Sequence, residues 1–331
     1  MYFLFLLIFY MENLPCRICS IKAPCKINLH LKIGKKRQDG YHELESIFLP
    51  LDYGDSIRIE RLPSGEKNKL SLITASDEIS AEISAEIPTK ENLVFKAVNI
   101  FREYTGFNDA LEINLNKCIP TGACLGGGSS DAASTLLALN FLSGNKLENK
   151  VLLEMALSLG SDVPFFIIGK PAFISGRGEI IEPIGFPSAK WIVLVKPGFS
   201  SSTAAAFREL DHYRSSSFHE YAGKNMEKGD LIRVIQEDPV TWPYYNDFLA
   251  MFLNKMEANR EKRQMYSTIL SLLSRAGASF SGLSGSGSSC FGVFSRQETA
   301  ENAVNLLSEI EGSFTRLTFF LAENAKPVVE C

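Results

Sequence analysis

Pro120-Thr121-Gly122-Ala123-Cys124-Leu125-Gly126-Gly127-Gly128-Ser129-Ser130-Asp131-Ala132-Ala133 joins an alternating segment to a run of small, helix-forming residues. Leu111–Leu115 alternates and reads as a strand; a helix is expected from Ser129 to about Leu142. Consecutive glycines let a backbone approach a ligand closely. The free N–H groups of the helix start, with Ser129 or Ser130 as its cap, make an anion site, and phosphate is the obvious anion. A flexible turn with an ordinary cap is the competing reading. Three glycines followed directly by Ser-Ser-Asp-Ala-Ala weigh against it. Two other phosphate loops are excluded. A P-loop needs Gly-Lys-Ser/Thr, and here Gly128 precedes Ser129-Ser130. A dinucleotide fingerprint needs G-x-G-x-x-G, which the 122–128 spacing does not match.

Upstream, Ser20 to Ile33 alternates between Cys25, Ile27, Leu29, Leu31, Ile33 and Lys26, Asn28, His30, Lys32. Period two makes this a strand with Lys26 and Asn28 on one face. Alone, that face reads as solvated. Ser46–Leu51 and Ser56–Leu62 read as two more strands, separated by a turn at Asp52-Tyr53-Gly54-Asp55. EISAEISAEI (78–87) places three isoleucines four apart and suggests a short surface helix. Asn92 to Tyr104 has helical spacing and ends at Gly106.

Downstream, Leu147–Leu159 reads as a helix. Gly160-Ser161-Asp162-Val163-Pro164-Phe165-Phe166 reads locally as a helix start, with Ser161 as cap and Asp162 as a first-turn charge. Ala172–Ile184 suggests paired strands, Trp191–Val195 a buried strand, and 201–275 mostly helix. Ser279–Leu283 and Cys290–Phe294 flank a Gly/Ser loop that reads as pinned between two strands. A helix (Glu298–Ile310) and a strand (Phe314–Leu321) close the chain. Strands first, then helices, then strand–helix–strand argues an α+β protein of two lobes.

With 331 residues, 45% hydrophobic and 22% charged, the chain is neither disordered nor fibrous. A net charge of −4 gives no basic excess for nucleic acid. Seven cysteines are too few and odd for a disulfide scaffold, so a reducing compartment is expected. Cys16-x-x-Cys19 lacks a second pair, the four histidines lack metal spacing, and no G-x-S-x-G elbow occurs. Residues 1–10 are wholly apolar but too short for a bilayer, which needs about 20. They read as sequence upstream of a start at Met11, with a short membrane-associating tail as the alternative.

In combination, Ala23-Pro-Cys-Lys-Ile-Asn-Leu, Asp39-Gly-Tyr-His-Glu-Leu, Leu51-Asp-Tyr-Gly-Asp, Leu125-Gly-Gly-Gly-Ser-Ser-Asp-Ala-Ala and Gly160-Ser-Asp-Val-Pro-Phe-Phe carry a resemblance. The chain resembles the galactokinase–homoserine kinase–mevalonate kinase–phosphomevalonate kinase (GHMP) superfamily. Within it, the Gly-Tyr-His and Asp-Tyr-Gly-Asp segments resemble the family of 4-diphosphocytidyl-2-C-methyl-D-erythritol kinases. The similarity runs from about residue 20 to 322, without 74–90 and much of 212–270.

The resemblance implies a two-lobed small-molecule kinase fold with its active site in the cleft: an extension at 1–19, an N-terminal lobe at 20–170 and a C-terminal lobe at 171–331. It implies transfer of phosphate from ATP, with Mg²⁺, to the 2-hydroxyl of the cytidyl substrate. Lys26 and Asp162 fall on the catalytic pair. Asn92, Lys117, Pro120, Gly122, Gly126, Gly127, Gly128, Ser129 and Ser130 fall on the ATP site. Asn28, Tyr41, His42 and Phe207 fall on the cytidine diphosphate half, with Tyr41 and Phe207 placed to sandwich the base. The metal ligands are left open. The expected partner is a small molecule carrying cytidine diphosphate, not nucleic acid or membrane, for a cytoplasmic monomer or weak homodimer. A homoserine or mevalonate-type kinase is the alternative. Cys124 stands where the family usually has glycine, so a positive φ there would be strained.

Overall fold

Alternating apolar residues build a first strand longer than expected, β1 at Ile18–Lys36, paired antiparallel with β2 at His42–Arg61. The structure, a computed structural model, describes residues 17–63, 66, 68–74, 92–186, 190–216, 226–254 and 259–329. The expected helix in 78–87 and the apolar residues 1–10 lie outside the described residues.

Strand β2 corrects the expectation of two strands split by a turn. Pairing runs through 52–55 with a register shift, Pro24 opposite Gly54 and Cys25 opposite Leu51. A bulge absorbs the extra residues without ending the strand. Gly54 makes this possible, because a Cβ there would lie 2.2 Å from the Ala23 carbonyl oxygen.

Three further elements follow: β3 (Lys69–Thr74), α1 (Leu93–Thr105) and β4 (Leu111–Lys117). Gly106 ends α1 in the left-handed region at φ 68°. Next come α2 (Gly127–Leu142), α3 (Asn149–Leu159) and α4 (Val163–Ile168), then the hairpin β5 (Ala172–Ser175) and β6 (Ile180–Pro183). The first sheet has the order β11-β1-β2-β4-β3, with β5 on the other half of β2 and β6 beyond it; β11 is Val328–Val329. The first sheet therefore extends past residue 170, through β6. Helix α2 is buried on nearly every side. Its small residues Ala132, Ala133 and Ala138 let it lie close against β1 and its neighbours.

The second sheet has the order β10-β7-β9-β8, from β7 (Trp191–Lys196), β8 (Phe280–Leu283), β9 (Cys290–Phe294) and β10 (Phe314–Phe319). Helices α5 (Thr203–Ser216), α6 (Lys228–Arg233), α7 (Asp247–Leu253), α8 (Arg260–Arg275) and α9 (Gln297–Ser308) belong to this part of the chain. Cys25, Ile27 and Leu29 of β1 share a core with Ile192, Leu194, Phe291 and Val293 of the second sheet. Ile119, Ala123 and Leu125 of the glycine loop join that core. The loop is thus anchored by its apolar members between the two sheets.

Candidate active site

The polar face of β1 is not solvated, which corrects the simpler reading of that face. Lys26, Asn28 and His30 are all buried. Lys26 and Asn28 lie under the glycine loop and the 284–289 loop, where Lys26 N donates to Leu125 O and Asn28 N to Ser284 Oγ, while His30 packs against Tyr244 and Tyr245. A buried ammonium needs partners. Lys26 Nζ donates to Asn28 Oδ1 at 2.8 Å, sits 4.3 Å over the Phe48 ring and lies 3.5 Å from Asp162 Oδ2. Asn28 is itself fixed by its amide donating to Ser46 Oγ.

Asp162, not Ser161, occupies the N-cap position of α4, and its side chain makes no capping bond. The carboxylate turns instead toward Lys26 and stays about one-third exposed. The local reading of Asp162 as a helix-start charge thus gives way to its pairing with Lys26.

The glycine loop also differs from its sequence reading. Neither Ser129 nor Ser130 caps α2. The helix starts at Gly127, and Gly126 is the N-cap at φ 77°. A Cβ at Gly126 would lie 2.8 Å from Phe166 Cζ and 3.0 Å from Lys26 Cγ. The first helical bond runs from Ser130 N to Gly126 O, which leaves the preceding N–H groups without helical partners. Ser130 Oγ is buried with no hydrogen-bond partner. Gly122 also has positive φ, with Ser200 close against it. Cys124 adopts φ 53°, the strained value anticipated for a non-glycine residue, and its Sγ lies 3.1 Å from Ser286 Oγ.

Lys117 lies beneath the first turn of α2, held between Asp55 and Asp131. Asp55 Oδ1 also accepts from Cys118 N at 2.5 Å and Ile119 N at 2.7 Å, tying the chain that enters the loop through Pro120 to β2. One ammonium cannot neutralise two buried carboxylates. Burial pushes Asp131 up to about 7 against the opposing pull of Lys117. Burial lowers Lys117 but the two carboxylates outweigh it and raise it. Sequence reasoning gave no role to Asp55 or Asp131, although both stand inside the motifs it singled out. Asn92 caps α1, its side chain accepting from Val94 N.

Across the cleft, Phe207 of α5 stacks on His42, with ring centroids 5.1 Å apart. Tyr41 is exposed, with Arg177 5.0 Å over its ring. His42 and Phe207 therefore come together, while Tyr41 meets a cation on the β5–β6 turn. The Ser/Gly loop at 284–289 is buried, as its pinned reading expects, and Ser284 Oγ reaches Cys124 O at 3.1 Å.

A buried Lys thus stands beside a partly exposed carboxylate, under a glycine-rich helix start. Residues 92–170 match the GHMP kinases N terminal domain and 244–310 the GHMP kinases C terminal domain. The chain is 36% identical over 309 residues to the 4-diphosphocytidyl-2-C-methyl-D-erythritol kinase of Thermodesulfovibrio yellowstonii, covering 93% of this chain and 99% of that one. It is 33% identical over 294 residues to the Treponema pallidum protein of the same name, covering 88% and 94%. A crystal structure of 4-(cytidine 5'-diphospho)-2C-methyl-D-erythritol kinase superposes with TM-score 0.71 at 28% identity, covering 91% of this chain and 99% of that one. The chain belongs to the 4-diphosphocytidyl-2-C-methyl-D-erythritol kinase family and is an enzyme, a small-molecule kinase. GHMP kinases use ATP as phosphate donor. Among the described residues, no helix is long and apolar enough to cross a membrane.

Proposed function

We propose that this kinase transfers the γ-phosphoryl group of ATP to the 2-hydroxyl of 4-diphosphocytidyl-2-C-methyl-D-erythritol. The observation that carries the reading is the Lys26–Asn28–Asp162 cluster, set against the glycine-rich start of α2. Phosphoryl transfer needs positioning and charge stabilisation more than covalent help. Lys26 has three N–H donors. One is held by Asn28 and one faces Asp162, leaving the third for the substrate hydroxyl. Asp162 takes or orients that hydroxyl's proton. The unpartnered N–H groups of residues 127–129 suit the transferred phosphate.

Among the described residues no three His, Cys, Asp or Glu side chains cluster as a metal cage. Mg²⁺ is held mainly by nucleotide phosphates in such sites, and the unpartnered Ser130 Oγ suits a single protein ligand. Bound there, it would neutralise charge on the β- and γ-phosphates. Lys117 and Asn92 have structural partners already, so we assign them to the nucleotide side through the shape they give the loop and α1. Cys25, Cys124 and Cys290 are free thiols, which suits the cytoplasm.

Phosphate transfer from ATP, measured with the cytidyl substrate, homoserine and mevalonate side by side, tests the reading. Turnover confined to the cytidyl substrate is expected. Preference for homoserine or mevalonate would overturn it.

A further inference from the structure

Helix α5 holds His42 from two directions. Phe207 and Asp211 are four residues apart and share one helix face. Phe207 stacks on the imidazole, its plane 23° from parallel. Asp211 Oδ1 lies 2.8 Å from His42 Nε2, and Asp211 Oδ2 accepts from Lys36 Nζ at 3.1 Å. Lys36 is the strand partner of His42 where β1 turns into β2. Partial burial raises the Asp211 carboxyl, but the hydrogen bonds and charges of Lys36 and His42 outweigh it and hold it below its ordinary value. Among the described residues, nothing hydrogen-bonds to His42 Nδ1.

A carboxylate only accepts hydrogen bonds. Facing Asp211, the neutral imidazole therefore carries its proton on Nε2 and keeps a lone pair on Nδ1. Cytosine presents an amino donor at C4, where uracil presents a carbonyl acceptor. An Nδ1 lone pair accepts from the first and repels the second. We infer that Asp211 is a positioning residue that sets the preference for a cytidine over a uridine diphosphate, by fixing the tautomer and plane of His42. The inference rests on the reading of His42 as a contact to the base.

Asp211→Asn makes a sharp test. Lys36 can only donate, so it holds the new amide's oxygen and turns the NH₂ group toward His42 Nε2. Nε2 must then accept, and the proton moves to Nδ1. Asp211→Glu keeps a carboxylate and should restore the original tautomer. At a pH where the ring ¹⁵N shifts report a neutral His42, kcat/KM is measured for the cytidyl substrate and its uridyl analogue. The ring ¹⁵N shifts of His42 are recorded alongside. In Asp211→Asn the cytidyl-over-uridyl ratio should fall by about tenfold to a hundredfold, the scale of one mismatched buried hydrogen bond. KM for ATP should stay put, and the ¹⁵N pattern should switch from Nε2–H to Nδ1–H. A variant with the wild-type ratio, or a changed ratio without a tautomer switch, overturns the role of Asp211. If His42→Ala itself leaves the ratio intact, the base-contact reading fails first, so the two failures are distinguishable.

Discussion

Asp162 and Asp131 show how one residue type does opposite work in one site. Asp162 is partly exposed and reaches the Lys26 ammonium without capping its helix. Asp162→Asn keeps the size and removes the charge. Its kcat should fall by about 10²–10⁴-fold, the usual scale for loss of a general base, while KM for ATP barely moves. Steady-state kinetics with each substrate varied checks this; near-normal turnover would remove Asp162 from the chemistry. Asp131 is buried and shares Lys117 with Asp55. Its carboxyl is raised from 3.8 to about 7 by burial, against the pull of Lys117. Across that window the folded chain keeps a proton that the unfolded chain has released. The contribution of Asp131 to stability should therefore fall as pH rises from about 4 to about 7, against buried His30, which is lowered from 6.5 to about 4 and acts in the opposite direction. Asp131→Asn removes this contribution, so its urea midpoint should gain on that of the wild type as pH rises through the same window. Equal slopes for both proteins would show that Asp131 ionises normally.

At the scale of elements, the strand–loop–helix unit from β4 to α2 works because glycine stands where a side chain cannot. Gly126→Ala introduces a Cβ at φ 77°, against Phe166 and the stem of Lys26. Left-handed backbone alone costs a non-glycine residue about 1–2 kcal/mol. The clash displaces Lys26, so kcat should drop by more than the urea midpoint implies. Unchanged kcat would mean that the Lys26 position tolerates the loop shift. This unit was legible in the sequence because glycine runs, alternation and small-residue helices have local causes. So was the shared face of Lys26 and Asn28, which two-residue spacing fixes, but not its burial. What escaped depends on distant partners. Nothing near Asn28 says that a loop from 284–289 will cover it. The Asp52–Asp55 segment looks like a turn, and only close passage of Ala23 against Gly54 makes it a bulge. Ser129 and Ser130 looked like caps because serine favours that position, but Gly126 takes it where a side chain would strike Phe166. Asp211 has no motif at all; only the fold brings it to His42.

At the scale of the whole molecule, the cleft stays in register because one core runs between the two sheets and polar links tie the pieces around it. Asn246 is the densest of these links. Its Nδ2 donates to Leu283 O at 2.9 Å and Gly285 O at 2.8 Å, while its Oδ1 caps α7 by accepting from Phe248 N and Leu249 N. Its neighbour Tyr245 O accepts from Leu31 N of β1. Asn246 thereby fixes the start of the loop that covers Asn28 and Cys124. Asn246→Ala loses a cap worth ~1 kcal/mol and leaves buried carbonyls unpaired at ~1–3 kcal/mol. The expected loss is about 2–4 kcal/mol. Asn246→Asp keeps the acceptor for the cap but sets a buried carboxylate oxygen against the Leu283 and Gly285 carbonyls, so it should lose at least as much as Asn246→Ala. The shared core, with Leu29 and Leu194 in one cluster, further implies that both lobes unfold together. The chain offers separate probes for that. Its two tryptophans, Trp191 and Trp242, both lie beyond β6 and report on the second lobe, while helical circular dichroism follows both lobes, α1 to α4 and α5 to α9 together. Urea curves followed by fluorescence and by circular dichroism should coincide in the wild type. They should shift together in Asn246→Ala. A fluorescence transition well below the dichroism transition in the wild type would show lobes that fold independently, and the claim that the common core holds the cleft in register would be wrong.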